Sequence, residues 1–223
     1  MDGARMKLYW SPWTHSLGPQ ILAYEAGTHI TVIQVDPDTG NAEDGRVLED
    51  IDPFGVLPLL EVVEGATLRE PGAILQAMIA LAPSEFYTPP SDTIDAFRLA
   101  QWLEFGAGRL ASAIQEAADH THNRSDAMHT SLARCVGWMD VQLGMRPYLM
   151  SGGYSVADIH VWAHLYRGLS VDASGDGHRS VRFGHHSNVQ RWYDALGGRP
   201  AFQAVLAGES RISQAVVRLA AAR

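Results

Sequence analysis

The sequence predicts an α/β domain followed by an all-helical domain. Three observations carry this. A strand–helix–strand unit opens the chain. Strand-like runs are confined to the first third. Beyond about residue 92 apolar residues recur at the helical period and no strand signal returns.

Lys7 to Trp10 reads as a short strand, followed by a proline turn, Ser11-Pro-Trp-Thr-His-Ser16. The helical pattern then runs from Leu17 to Ala26, and Gly27 stops it. Thr31 to Val35 is rich in β-formers and gives a second strand, parallel to the first through the helical crossover. Asp36 to Asp52 is polar, with room for one short helix. Pro58 to Val63 makes a third strand, and Glu64-Gly65 turns it into a brief fourth at Thr67–Leu68. Glu70-Pro71 opens a helix to about Leu81, with proline in the first turn, where its missing N–H costs nothing.

Pro83, Pro89 and Pro90 mark a linker, so the expected division is 1–82, linker 83–91 and 92–223. In the second part Leu99, Trp102, Leu103, Ala107, Leu110 and Ile114 share one helix face. Leu132, Cys135, Val136, Met139 and Leu143 share another. Ser155-Val-Ala-Asp158 reads as a capping box opening a helix. Gly168 to Ser187 is Gly- and His-rich and reads as a long surface loop, and two further helices close the chain.

The composition is that of a globular protein, with 46% hydrophobic and 19% charged residues in 223. A net charge of −8 repels phosphate backbones and argues against nucleic acid as a partner. No apolar run reaches the roughly 20 residues that span a bilayer. The start, MDGARMKLYW, has no signal-peptide core, and residues before Met6 read as a short leader. Cys135 is the single cysteine, so no internal disulfide can form, which fits a cytoplasmic location.

The ordered motifs resemble the cytosolic glutathione S-transferase superfamily, nearest its bacterial beta class. The resemblance is carried by MKLYWSPWTHSLGPQILAYEAG, DPFGVLPLLEV, LREPGAILQAM, RPYLMSGGYSVADIHVWAHLYR and VQRWYDALGGRPAFQAVL, which together cover most of the chain. It implies a thioredoxin-like N-terminal domain that binds glutathione as co-substrate, a helical C-terminal domain, a homodimer, and a cis bond at Pro58. It also implies that a small apolar electrophile receives the glutathione sulfur.

That chemistry needs a thiolate, stabilised by a donated hydrogen bond or by the positive end of a helix. The resemblance places Thr14, His15 and Ser16 in the catalytic turn. His15 stands where beta-class enzymes have cysteine, and Thr14 stands near the activating serine of theta- and delta-like enzymes. The alternative is that Thr14 and Ser16 only cap the helix, and that His15 is a solvated loop residue. Leu57, Pro58, Glu70 and Pro71 fall at the glutathione-binding positions. Pro71 departs from the family serine and supplies neither hydroxyl nor amide, whereas Glu70 retains a carboxylate for the ligand ammonium. Trp10, Trp13, Glu104 and Gly108 are the substrate-contact candidates. Trp10 replaces a family tyrosine, Glu104 a frequent asparagine and Ala111 a frequent histidine.

Gly106 and Gly108 sit mid-helix, where each costs about 1 kcal/mol against alanine. They either open space for substrate or admit a neighbouring helix. His160 and His164 share a helix face, but no further ligand type accompanies them, so no metal site is expected. Cys135 reads as core, as do Trp102, Trp162 and Trp192, and Asp158 reads as a cap rather than a catalyst. The rival to a transferase is a protein of the same fold that no longer uses glutathione. It would act as a specialised-pathway enzyme with His15 or Glu104 as acid–base groups, or as a non-catalytic binding module.

Overall fold

β1 (Met6–Trp10) is the strand around which the first unit forms. It pairs in parallel with β2 (Ile30–Gln34) and antiparallel with β3 (Leu59–Val63), and β3 pairs antiparallel with β4 (Ala66–Leu68), giving the order β2-β1-β3-β4. The computed structural model describes residues 6–26, 30–81, 86, 88–119, 126–170 and 183–221. Gly27, Pro83, His178 and the leader before Met6 lie outside them.

α1 (Leu17–Ala26) crosses from β1 to β2 and packs against α3 (Pro71–Leu81). Leu17, Ile21, Leu22, Ile74 and Leu75 are fully buried, as are Leu8, Tyr9, Leu59 and Leu60 of the sheet. A short α2 (Leu48–Ile51) lies in the polar stretch where one helix was expected, and Leu48 joins Tyr9, Ile33, Val35 and Leu59 in a core cluster. Arg46 ties this region to β3 through two hydrogen bonds to Glu61, of 3.0 and 2.6 Å. The Arg46 hydrogen bonds hold the Glu61 carboxyl below its ordinary range against the opposing effect of burial.

Strand edges differ from expectation by a residue. Val35 leaves β2, yet its N–H still reaches the Trp10 carbonyl at 2.7 Å and it bridges to Ala42. Pro58 has no N–H for the ladder, so β3 begins at Leu59.

The second unit comprises α4 (Ile94–Glu104), a π turn (Phe105–Leu110), α5 (Ala111–Asp119), α6 (Asp126–Gly144), α7 (Val156–Ser170) and α8 (Ser187–Gly197). α7 is its centre, with Val156, Ala157, Ile159, Val161 and Leu165 fully buried. α7 extends to Ser170, so the start of the expected loop at Gly168 is helical. A Cβ on Gly168 would land on Ile114, and its glycine is what lets α5 approach. Residues 171–182 lie outside the described residues.

The domain boundaries expected from sequence assign 92–223 to one helical domain. By contacts, the units are 1–85 together with 198–223, and 86–197. α9 (Pro200–Ala221) packs on α1, with Phe202 fully buried and Arg199 Nε 2.7 Å from Glu25 Oε1. Its apolar stripe therefore completes the sheet unit. The chain has a four-stranded mixed sheet with a thioredoxin-like order and a helical unit, which is the expected fold class.

Candidate functional site

The strand register gathers the expected glutathione-binding residues of the sheet unit. Tyr9 pairs with Leu59, and Leu60 pairs with Leu68. The C-terminal end of β1, the N-terminal end of β3 and the C-terminal end of β4 therefore lie at one end of the sheet. From that end issue the turn 11–16, the Leu57–Pro58 bond and the Arg69–Pro71 segment. The Leu57–Pro58 bond is cis, and Pro58 is buried while Leu57 is half-buried.

Within the turn, counting hydroxyl protons settles who donates. Thr14 Oγ1 lies 2.7 Å from the Ser11 carbonyl, which can only accept, so the threonine proton goes there. Ser16 Oγ, 2.6 Å from Thr14 Oγ1, must then donate to threonine. The Ser16 amide also points to Thr14 Oγ1, at 3.3 Å. Ser16 is fully buried and its carbonyl accepts from Gln20 N at 3.0 Å, which makes it the N-cap of α1. Both hydroxyl protons thus have partners within the turn, which the Thr14 side chain ties together. Pro19 has no amide, so among the described residues α1 leaves the Leu17 and Gly18 amides as its unclaimed donors. His15 is exposed at the same helix end.

Trp13 adopts φ 63°, uncommon for a bulky residue. It is half-buried, whereas Trp10 is 7% exposed and presents little ring surface. Ser11 Oγ is buried with no hydrogen-bond partner among the described residues, and sequence reading did not single it out.

Glu70 also has a left-handed backbone, φ 65°, a conformation that costs about 1–3 kcal/mol unless its surroundings hold it. Arg69 supplies the hold. Its Nε lies 2.8 and 2.7 Å from the two oxygens of buried Asp52, and its guanidinium sits 4.5 Å from the Phe54 ring. Thr67 Oγ1 and the Phe54 amide also donate to Asp52. Nothing in the sequence pairs Asp52 with Arg69; the pairing follows only once β4 is laid beside β3. The Glu70 carbonyl accepts from Ile74 N at 3.0 Å, and its side chain is exposed. Pro71 occupies the first helical position, and the next amides are those of Gly72 and Ala73.

Glu104 and Gly108 belong to the helical unit and line a cavity there of about 870 Å³, with Arg109, Glu116, Arg134 and Cys135. The two glycines have different roles. A Cβ at Gly106 would sit 2.7 Å from His160 Cδ2, whereas one at Gly108 would meet nothing within 4 Å. Cys135 is 4% exposed; burial pushes its thiol up, Arg109 opposes this and Glu116 adds to it.

His160 and His164 are buried, and among the described residues no group of three or more metal-ligand types forms. Trp102, Trp162 and Trp192 are core aromatics. Asp158 accepts from the Leu149 amide, the Ser155 amide and hydroxyl, and Trp192 Nε1, at 2.9 to 3.1 Å. Burial nevertheless pushes its carboxyl up to about 6.

No protein-family model matches the chain. A glutathione S-transferase named GstA from Escherichia coli O157:H7 is 21% identical over 206 residues, 92% of this chain and 98% of that protein. Among solved structures, a ternary complex of BphK, described as a bacterial glutathione S-transferase, is 30% identical with a TM-score of 0.73, covering 91% of this chain and 98% of that one. A sphingomonad glutathione S-transferase complexed with glutathione is 26% identical with a TM-score of 0.71, at 91% and 98% coverage. With this sheet order, these residues at one sheet end, and near-complete coverage at 30% identity, the chain belongs to the bacterial cytosolic glutathione S-transferase superfamily.

Proposed function

We propose that this chain is a glutathione transferase-like enzyme that adds a glutathione thiolate to, or displaces a leaving group from, a small electrophile. The observation that carries the reading is the strand register, which sets the α1 turn, Leu57 and Glu70 at one end of the sheet. The Leu17 and Gly18 amides and the α1 dipole act on the sulfur, with His15 as the nearby protonatable group. A pKa lowered by two units corresponds to about 2.7 kcal/mol in favour of the thiolate. The Leu57 main chain pairs with the peptide backbone of glutathione. Glu70 takes its ammonium, and the Gly72 and Ala73 amides take the γ-glutamyl carboxylate in place of the donors that Pro71 lacks. The residues present therefore fit glutathione, with two donors fewer at position 71 than a serine would give.

The glutathione complex of the sphingomonad relative supports this assignment, as does the family itself. The cavity beside Glu104 and Gly108 is the proposed electrophile site. No described helix is long and apolar enough to cross a membrane. We place the protein in the cytoplasm as a homodimer that does not bind nucleic acid. Exposed Ile94 and Phe97 on α4, Val141 on α6 and Met145 just after it are the apolar residues proposed to meet the partner copy.

Calorimetric titration with glutathione tests the reading, followed by turnover on standard electrophiles. Absence of binding at millimolar glutathione discards it. Pro71 and the committed protons of Thr14 and Ser16 favour a second reading, a protein of this fold that no longer uses glutathione. Binding without turnover on any electrophile favours a binding module.

A further inference from the structure

The stripe that this helix presents to the cavity of the helical unit shifts its phase where the π turn stands. From α4 into the π turn the lining residues are Gln101, Glu104, Phe105 and Gly108. At 3.6 residues per turn that stripe continues through 111, 112 and 115. The wall instead continues through Arg109, Ser112, Ala113 and Glu116, one position later throughout. A π turn pairs each amide with the carbonyl five residues back, as Ala111 N does with Gly106 O, and so inserts one residue, or about 100° of helical phase. Without it Ala111 and Gln115 would face the cavity. With it, Arg109 and Glu116 join Glu104, and the contribution of this helix to the wall rises from one charged group to three.

His160 of α7 meets the start of that turn. Its Nε2 lies 3.0 Å from the Leu103 carbonyl, and a carbonyl only accepts, so Nε2 carries the proton. A widened turn disturbs the carbonyl pairing just ahead of it, and this imidazole N–H supplies a donor there. The ring is 1% exposed, with the His164 ring 4.6 Å away. It fits only because residue 106 is glycine, since a Cβ would stand 2.7 Å from Cδ2 and 3.1 Å from Nε2.

We infer that His160 is a positioning residue for this cavity: by holding the π turn through the Leu103 carbonyl, it aims Arg109 and Glu116 into a wall that it does not itself line. The consequence for electrophile specificity rests on the function proposed above; the positioning itself does not.

Cys135, the sole cysteine, lines the same cavity and reports on its charges. Glu104, Arg109, Glu116 and Arg134 are the charged groups that share its wall. The experiment is the rate of Cys135 alkylation by iodoacetamide across pH 7–10, in wild type, R109Q, H160L, H160Q and the double variants. R109Q is expected to slow alkylation below the thiol pKa by roughly two- to fivefold, because the guanidinium favours the thiolate. In H160L that R109Q effect is expected to vanish. In H160Q, whose carboxamide N–H can still serve Leu103, it is expected to persist. An R109Q effect of equal size in wild type and in folded H160L overturns the inference.

Should H160L lose cooperative unfolding, deletion of Gly108 removes the inserted residue while leaving His160 in place. The R109Q effect is expected to vanish there too, and its survival likewise overturns the inference. Glutathione affinity is measured separately by calorimetry, so its absence bears on the proposed function and not on this assignment.

Discussion

Pro71→Ser is expected to tighten glutathione binding. Position 71 is the first residue of α3 and follows Glu70, whose left-handed backbone is held by the Arg69–Asp52 pair. Serine restores one amide and one hydroxyl at the helix end where the γ-glutamyl carboxylate is proposed to lie. A hydrogen bond to a charged group contributes about 1.5–3 kcal/mol. One restored bond therefore lowers the dissociation constant by roughly 10- to 150-fold, at 1.4 kcal/mol per decade. The substitution also frees a rigid residue, which costs about 0.4–1 kcal/mol of stability, small enough to leave the fold intact. Isothermal calorimetry with glutathione reads the affinity, and thermal unfolding confirms the fold. An unchanged dissociation constant in a folded P71S would refute the placement of the γ-glutamyl group at this helix end.

Thr14→Ala removes the acceptor of Ser16 Oγ and N, and is expected to cost about 1 kcal/mol of stability by urea unfolding. If either hydroxyl also serves the sulfur, T14A or S16A raises the pKa of bound glutathione in ultraviolet titration. No change in both removes the hydroxyls from the mechanism. Asp158 is raised from 3.8 to about 6 in the folded protein, so the folded state binds the extra proton between these values and this contribution falls as pH rises through them. The stability difference between wild type and D158N is expected to shrink by about 3 kcal/mol from pH 3 to 7 and stay flat above; a constant difference contradicts the assignment. Phe97→Glu on the exposed face of α4 is expected to shift sedimentation from dimer to monomer, and an unaltered dimer places the interface elsewhere.

What the sequence made legible was local. α1 runs from Leu17 to Ala26 and α3 from Pro71 to Leu81 as expected, because caps and a first-turn proline mark helix ends chemically. The Asp158 cap was readable for the same reason. Strand edges were less so, because Val35 and Pro58 are placed by the partners available to their backbone. The π turn left only two glycines as a trace. Their separate uses, one against His160 and one open to the cavity, depend on α7, far along the chain. The direction of donation among Ser11, Thr14 and Ser16 needed distances, and so did the Asp52–Arg69 hold on Glu70. A closing helix was expected where α9 stands, but not which unit receives it.

The placement of α9 on α1 makes the sheet unit discontinuous in the chain. A ribosome must finish the whole helical unit before the segment that covers α1 emerges, so the sheet unit cannot mature ahead of the helical one. Closing so distant a contact slows folding, and a fragment ending at the linker would leave the α1 surface that Phe202 and its neighbours cover open to aggregation. The same arrangement ties α1, the helix at the proposed sulfur site, to a helix far along the chain, with the Arg199–Glu25 pair joining residues 174 positions apart.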